Sequence, residues 1–183
     1  MSKLVQSRNQ CIYTTFSKMP CACRVPIPDY PANAEWGPIL WNILHGLAEK
    51  AGQASLPADE IREWQAFLKA TGEVLPCDEC RDHYRRYTQA NPLTQFAQVP
   101  YASLKTSVKS WLWQLHADIR TEYGKPVLPY DDLTATYGAV DLQDVFWRLE
   151  PVIKKTIVIK GMGLIKWLQW VSKFRMLRST LGV

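Results

Sequence analysis

The sequence has no run of about 18 uncharged apolar residues, the length that a membrane-spanning helix needs, so no such helix is expected. No segment shows the period-two apolar alternation of a strand. There is no glycine-rich phosphate loop and no internal repeat. No apolar run of useful length follows Met1, so no secretory signal is expected. Cysteine is sparse: Cys11, Cys21, Cys23, Cys77 and Cys80 are too few and too clustered to staple a secreted fold. Acid is missing from both ends. Residues 1–28 carry Lys3, Arg8, Lys18 and Arg24 with no Asp or Glu, and residues 152–183 carry seven bases with none. The 11 basic and 17 acidic residues between them give a balance of −6, so the pI near 9 belongs to the two tails. Without a basic face on the central part, no nucleic-acid partner is expected.

What is present is apolar and aromatic. A hydrophobic content of 47% with eight Trp and eight Tyr suffices for one globular domain with extensions. Residues 1–33 read as a flexible arm, because Pro20, Pro26, Pro28 and Pro31 forbid regular structure. Residues 34–138 read as helices joined by breaks. The first spans 34–51, with Ile39, Leu40, Ile43, Leu44 and Leu47 at helical spacing and Gly52 as its stop. The second spans 58–71 behind Pro57, with Gly72 closing it. The third runs from about Cys77 to Gln89, and the fourth from about Tyr101 to Tyr123. A short fifth covers 131–138, capped by Asp131. Residues 139–183 form a basic helical extension: one helix carrying Leu142, Val145, Phe146 and Leu149 and ending near Pro151, then a basic amphipathic helix over 164–177. That last helix can dock on protein or lie on a membrane surface. The fold class is therefore all-α: a four-helix bundle with a short fifth helix and a C-terminal helical extension.

The chemistry concentrates in Pro76-Cys77-Asp78-Glu79-Cys80-Arg81-Asp82-His83. Two cysteines three apart stand at the first turn of a helix, where free N–H groups and the helix dipole favour a thiolate, so lowered thiol pKa values are expected. A redox-active pair and half a zinc site, with His83 as a further ligand, both remain open on this segment. A thioredoxin-like frame is disfavoured, since it needs strands around the motif. Cys21-Ala22-Cys23 can close only a small strained ring, which suits a labile shuttle disulfide or two incidental thiols. Trp41 and His45 share a helix face, and Gly37 beside them admits close approach by another group.

Three motifs occur together: Trp36-Gly37-Pro38-x-x-Trp41-x-x-Leu44-His45, Pro76-Cys77-x-x-Cys80-x-x-His83, and Trp111-x-x-x-Leu115-His116-x-x-Ile119 followed by Gly124-Lys125-Pro126. In this order and spacing the chain resembles the Erv/ALR-type FAD-linked sulfhydryl oxidases, most of all those of large DNA viruses, over residues 34–138. The resemblance implies a helical homodimer that binds FAD and forms disulfides in a thiol-containing client protein, a thioredoxin-like one among the options. It implies that Cys80 contacts the flavin and that Cys77 exchanges with incoming thiols. Gly37, Trp41, His45, His83, His116, Lys125 and Tyr137 would form the cofactor pocket. Arg120 stands where the family's second asparagine is absent and is assigned to a phosphate. No metal is implied.

The family's His-Asn-x-Val-Asn reads His116-Ala117-Asp118-Ile119-Arg120 here. A second disulfide of many members falls on Trp113 and Tyr130. A cytoplasmic setting is expected, host cytoplasm or virion for a viral protein, with the mitochondrial intermembrane space as alternative. The competing readings are a zinc-binding helical module using Cys77, Cys80, His83 and His116, and a scaffold of the same family without FAD.

Overall fold

The computed structural model describes residues 29–160 and 163–183. Cys11, Cys21 and Cys23 lie outside them. Among the described residues every regular element is helical and no strand occurs. The chain is all-α: α1 (Asn33–Ala48), α2 (Pro57–Val74), α3 (Asp78–Ala90) and α4 (Leu104–Glu122), then short α5 (Leu133–Tyr137), then α6 (Leu142–Lys160) and α7 (Leu164–Leu181). Short 3-10 turns at Leu93–Ala97, Tyr101–Ser103 and Tyr130–Asp132 link them.

The apolar stripes converge on one core. Ile43 and Leu47 of α1, Trp64, Phe67 and Leu68 of α2, and Leu104, Val108, Leu112 and Leu115 of α4 are fully buried. α6 packs along α1 and α7 along α2. The inward face of α7 brings Trp167, Trp170, Phe174 and Leu177 into the same core, with Trp170 Nε1 donating to Thr71 Oγ1 of α2 at 3.0 Å. Leu164, Ile165 and Leu168 stay on its exposed side. No described helix is long and apolar enough to cross a membrane.

Two polar networks fix the joints. Glu60, fully buried, accepts hydrogen bonds from Gly52 N–H, Ala54 N–H, Trp64 Nε1 and the Tyr101 hydroxyl. Glu49, buried at the end of α1, pairs with Lys109 Nζ of α4 at 2.6 Å, and Thr134 of α5 joins them. Where the resemblance placed a disulfide, Trp113 and Tyr130 meet edge to face with ring centres 5.8 Å apart, and Trp113 Nε1 donates to Leu128 O. An aromatic contact thus joins α4 to the loop behind it.

Several boundaries differ from expectation. α1 begins one residue earlier and ends at Ala48, before Gly52, whose φ of +80° serves the following turn. The end of the expected arm is ordered, with Pro31 buried and Tyr30 donating to Pro76 O. α2 runs through Gly72 to Val74. This glycine does not stop the helix. It makes room for the ring of Tyr84, whose Cδ1 lies 2.7 Å from where a Cβ would stand. Asp131 does not cap α5; it sits inside a 3-10 turn, and the cap position is Asp132 with no side-chain bond. α6 does not end at Pro151. Ile153 and Thr156 continue its buried stripe beyond the proline. Their burial offsets the lost hydrogen bond, and the deprived carbonyl belongs to Trp147, an exposed residue.

Candidate functional site

The start of α1, the start of α3 and the end of α4 meet around a cavity of about 430 Å³, within the range of small-molecule sites. α1 contributes Trp36, Gly37 and Trp41; α3 contributes Cys80 and Tyr84; α4 contributes His116 and Arg120, with Tyr123, Lys125 and Tyr137 behind them. A second hollow of about 380 Å³ shares His116, Arg120 and Tyr137 in its wall.

Cys77 is the N-cap of α3, and its sulfur accepts the Cys80 N–H at 3.2 Å. Both cysteines are free thiols and half-buried. Cys80 lines the cavity, whereas Cys77 is not part of its wall. The expectation of a lowered pKa fails at Cys80, where the thiol is pushed up to about 12. Burial is the first cause, followed by Cys77 and the Glu79 carboxylate. The Cys80 N–H is turned to Cys77 Sγ, and what that N–H does to lower the Cys80 thiol is the smallest of the causes. Asn33 Nδ2 lies 3.7 Å from Cys77 Sγ and 3.6 Å from Cys80 Sγ. Arg81 turns to Leu75 O and Asp78, while Arg85 and Arg86 face water as expected.

The far wall is a run of aromatic rings. Trp41 and His116 stack with centres 4.0 Å apart and planes 6° from parallel. His45 stacks on Tyr137 at 4.5 Å and meets His116 Nδ1 through Nε2 at 3.2 Å. Both imidazoles are held neutral. Burial, then the neighbouring His116 and Lys109 charges, lowers His45 to about 3; burial, then Arg120, lowers His116 to about 4. Only one proton can occupy the contact between the two facing nitrogens, so one ring donates and the other accepts.

The structure brings together Gly37, Trp41, Cys80, His116, Arg120, Lys125 and Tyr137 around the cavity. His45 stands behind the wall, reached through His116 and Tyr137. His83 is not in the wall; its Nδ1 contacts Glu122 at 2.8 Å, joining α3 to α4. Among the described residues no three His, Cys, Asp or Glu side chains converge on a metal position. His116 is turned to His45, and His83 to Glu122, so the zinc ligand set does not assemble.

Sequence reasoning missed Asn33, Trp36 and Tyr123 as site residues. A signal existed for two of them. Asn33, Trp36 and Gly37 precede Leu40 and Trp41 at helical spacing, so a helix begun at residue 33 puts them on one face. No spacing points to Tyr123, which shares the cavity wall with Cys80 only because α4 ends beside α3.

A model of the Erv1 / Alr family matches residues 38–138, just over half of the 183. The chain belongs to the Erv1/Alr family. Among curated proteins it is 25% identical over 120 residues to FAD-linked sulfhydryl oxidase ERV1 of Oryza sativa subsp. japonica, covering 63% of this chain and 56% of that one. It is 26% identical over 111 residues to the Arabidopsis thaliana protein of the same name, covering 58% of this chain and 52% of that one. A probable FAD-linked sulfhydryl oxidase of Acanthamoeba polyphaga mimivirus is 26% identical over 99 residues, 54% of this chain and 65% of that one. The chain thus spans about half the length of the plant relatives it matches. No solved structure matches it significantly. The Erv1/Alr match takes in Cys77, Cys80 and the ring wall, while Asn33, Trp36, Gly37, α6 and α7 lie outside it.

Proposed function

We propose that this chain is an FAD-dependent thiol oxidase, which converts a client dithiol to a disulfide while dioxygen becomes hydrogen peroxide. The observation that carries this reading is the asymmetry of the cysteine pair: Cys80 borders the cavity and Cys77 does not. One sulfur would thus face a group held in the cavity while the other is left for exchange. The names of the relatives point the same way.

The residues present fit FAD. Trp36 Nε1, in a residue of the cavity wall, is buried without a hydrogen-bond partner among the described residues and offers a donor. A Cβ added at Gly37 would meet nothing within 4 Å among the described residues, so the backbone there opens on space. Trp41, His116 and Tyr137 supply flat surfaces for a fused ring. Arg120 and Lys125 supply positive charge for a diphosphate, with Arg120 already oriented by its Nε bond to Pro126 O at 2.8 Å. The chemistry that FAD supplies when bound is acceptance of the electron pair and its delivery to dioxygen.

The chain's own residues do the thiol exchange. A client thiolate attacks Cys77 Sγ of the Cys77–Cys80 disulfide; the S–S bond breaks, and its electron pair leaves on Cys80 Sγ, the sulfur beside the cavity. The second client thiol then attacks the mixed disulfide and releases Cys77. The client has lost two electrons and two protons, which the cysteine pair now holds. Neutral His45 and His116 keep the ring wall uncharged through this cycle. Cys21 and Cys23, outside the described residues, are proposed as a relay to the client. The client is a thiol-bearing protein, and the working unit a homodimer.

Titrating the purified, flavin-stripped chain with FAD tests the reading. Binding should quench the fluorescence of Trp36 and Trp41, and Trp41→Ala should weaken affinity. Failure of FAD to bind at all would overturn it.

A further inference from the structure

We infer that the side-chain amide of Asn33 is the hydrogen-bond donor that carries the negative charge appearing on both sulfurs of the Cys77–Cys80 pair, and thereby sets how oxidising the pair is. This rests on the redox reading of that pair. The geometry is specific. Asn33 is the first residue of α1, more than forty positions before the cysteines, and its Nδ2 lies 3.7 Å from one sulfur and 3.6 Å from the other. It is held there from its own side: Tyr30 donates to Pro76 O at 2.7 Å, and Pro31 is buried between them in sequence. The segment before α1 is therefore pinned against the turn before α3.

The surroundings make this donor matter. Cys80 is half-buried beside Glu79, and its thiol resists ionisation. The Cys80 N–H goes to Cys77. Arg81, the nearest cation on α3, is committed to Leu75 O and Asp78. Among the described residues no Lys or Arg donates to either sulfur, and Asn33 is the one side chain that hydrogen-bonds both. Charge appears there twice in one cycle. When a client thiolate bonds to Cys77 Sγ, the Cys77–Cys80 bond breaks and the electron pair leaves on Cys80 Sγ. When the second client sulfur displaces Cys77 Sγ, the pair leaves on Cys77. The client dithiol ends as a disulfide, and its two electrons and two protons end on Cys77 and Cys80. A donor between the two sulfurs stabilises both leaving groups and the reduced pair they form. A more stable reduced form is a stronger oxidant when oxidised.

The test is the equilibrium of the full chain with glutathione buffers under argon. It is read by alkylation and by mass on the tryptic peptide that carries both Cys77 and Cys80, for wild type, Asn33→Ala and Asn33→Asp. Removing the donor should shift the equilibrium about tenfold towards the disulfide, which is about 30 mV for a two-electron couple. Asn33→Asp should shift it further, because a carboxylate repels both thiolates. It should also move the alkylation of Cys77 to higher pH. A merely structural role at the helix start predicts no shift for Asp, since an acid in the first turn suits the helix dipole and should leave the pair unchanged. Thermal unfolding of Asn33→Asp at or above the wild-type temperature, together with a shifted equilibrium, supports the inference. Both variants within twofold of wild type would overturn it, with the redox reading intact. A wild-type pair that forms no disulfide at any glutathione ratio would overturn both.

Discussion

Gly72→Ala sets two magnitudes against each other at the joint between α2 and α3. On helix propensity alone, alanine inside α2 should stabilise by up to about 1 kcal/mol. The structure says otherwise. A Cβ at this position would stand 2.7 Å from Tyr84 Cδ1 and 2.9 Å from Cε1, closer than carbon atoms tolerate. The ring cannot easily retreat. Its hydroxyl donates to Leu68 O at 2.7 Å, and its edge packs against Trp111 with ring centres 6.0 Å apart. Overpacking of this kind costs about 1–3 kcal/mol, and two contacts under 3.0 Å on a held ring put this site at about 2–3 kcal/mol, so the net effect should be a loss of about 1–2 kcal/mol. For a chain of this size that is a fall of several degrees in Tm, at about 2–4 °C per kcal/mol. Urea unfolding followed by far-UV circular dichroism measures it. In a Tyr84→Leu background, where the branched end can turn away, the same substitution should lose its penalty. A Gly72→Ala protein as stable as wild type would refute the packing argument. Because Tyr84 is in the cavity wall, the variant should also bind FAD less tightly.

Lys109→Met leaves the Glu49 carboxylate buried with only Lys105 Nζ, 3.6 Å away, as cation, and should cost about 3 kcal/mol or more in urea unfolding. Adding Glu49→Gln should recover most of that loss. The two imidazoles give a signed pH dependence. His45 and His116 titrate lower in the folded chain, at about 3 and about 4, than when unfolded. The unfolded chain therefore binds more protons below about pH 6.5, and stability should fall as pH drops towards 4, by up to about 1.4 kcal/mol per pH unit per proton. Urea titrations at pH 7 and pH 5 read this, and His45→Gln should flatten the slope. Trp170→Ala removes a fully buried indole and its bond to Thr71, and should cost about 3–5 kcal/mol in a single transition. A separate early transition would mean that α7 is not part of the core.

The helices were legible because burial needs a stripe. Leu104, Val108, Leu112 and Leu115 recur at helical spacing, and all of them face inward. The cysteine pair was legible because it stands behind a proline at a helix start, and the ring wall because Trp41, His45 and His116 fall in motifs, with Tyr137 placed by the resemblance alone. Punctuation misled where tertiary contact outweighs it. Gly72 and Pro151 read as stops, yet one accommodates Tyr84 and the other sits in a helix whose buried face continues past it. The thiol environment was misjudged for a related reason. Distance along the helix says that Cys80 is near the dipole, but only the fold shows it half-buried, with its own N–H committed to Cys77. Asn33 and Tyr123 act across more than forty positions of sequence, and a local pattern does not encode such a meeting.

The most direct test of the central claim is the anaerobic visible spectrum of the flavin-loaded chain during addition of dithiothreitol, for wild type and Cys80→Ser. The wild-type flavin band should bleach and return when oxygen is admitted, with hydrogen peroxide formed in equal amount, while Cys80→Ser should keep its band at thiol concentrations that bleach the wild type. Equal bleaching of the two would contradict the assignment of Cys80 as the sulfur that passes electrons into the cavity.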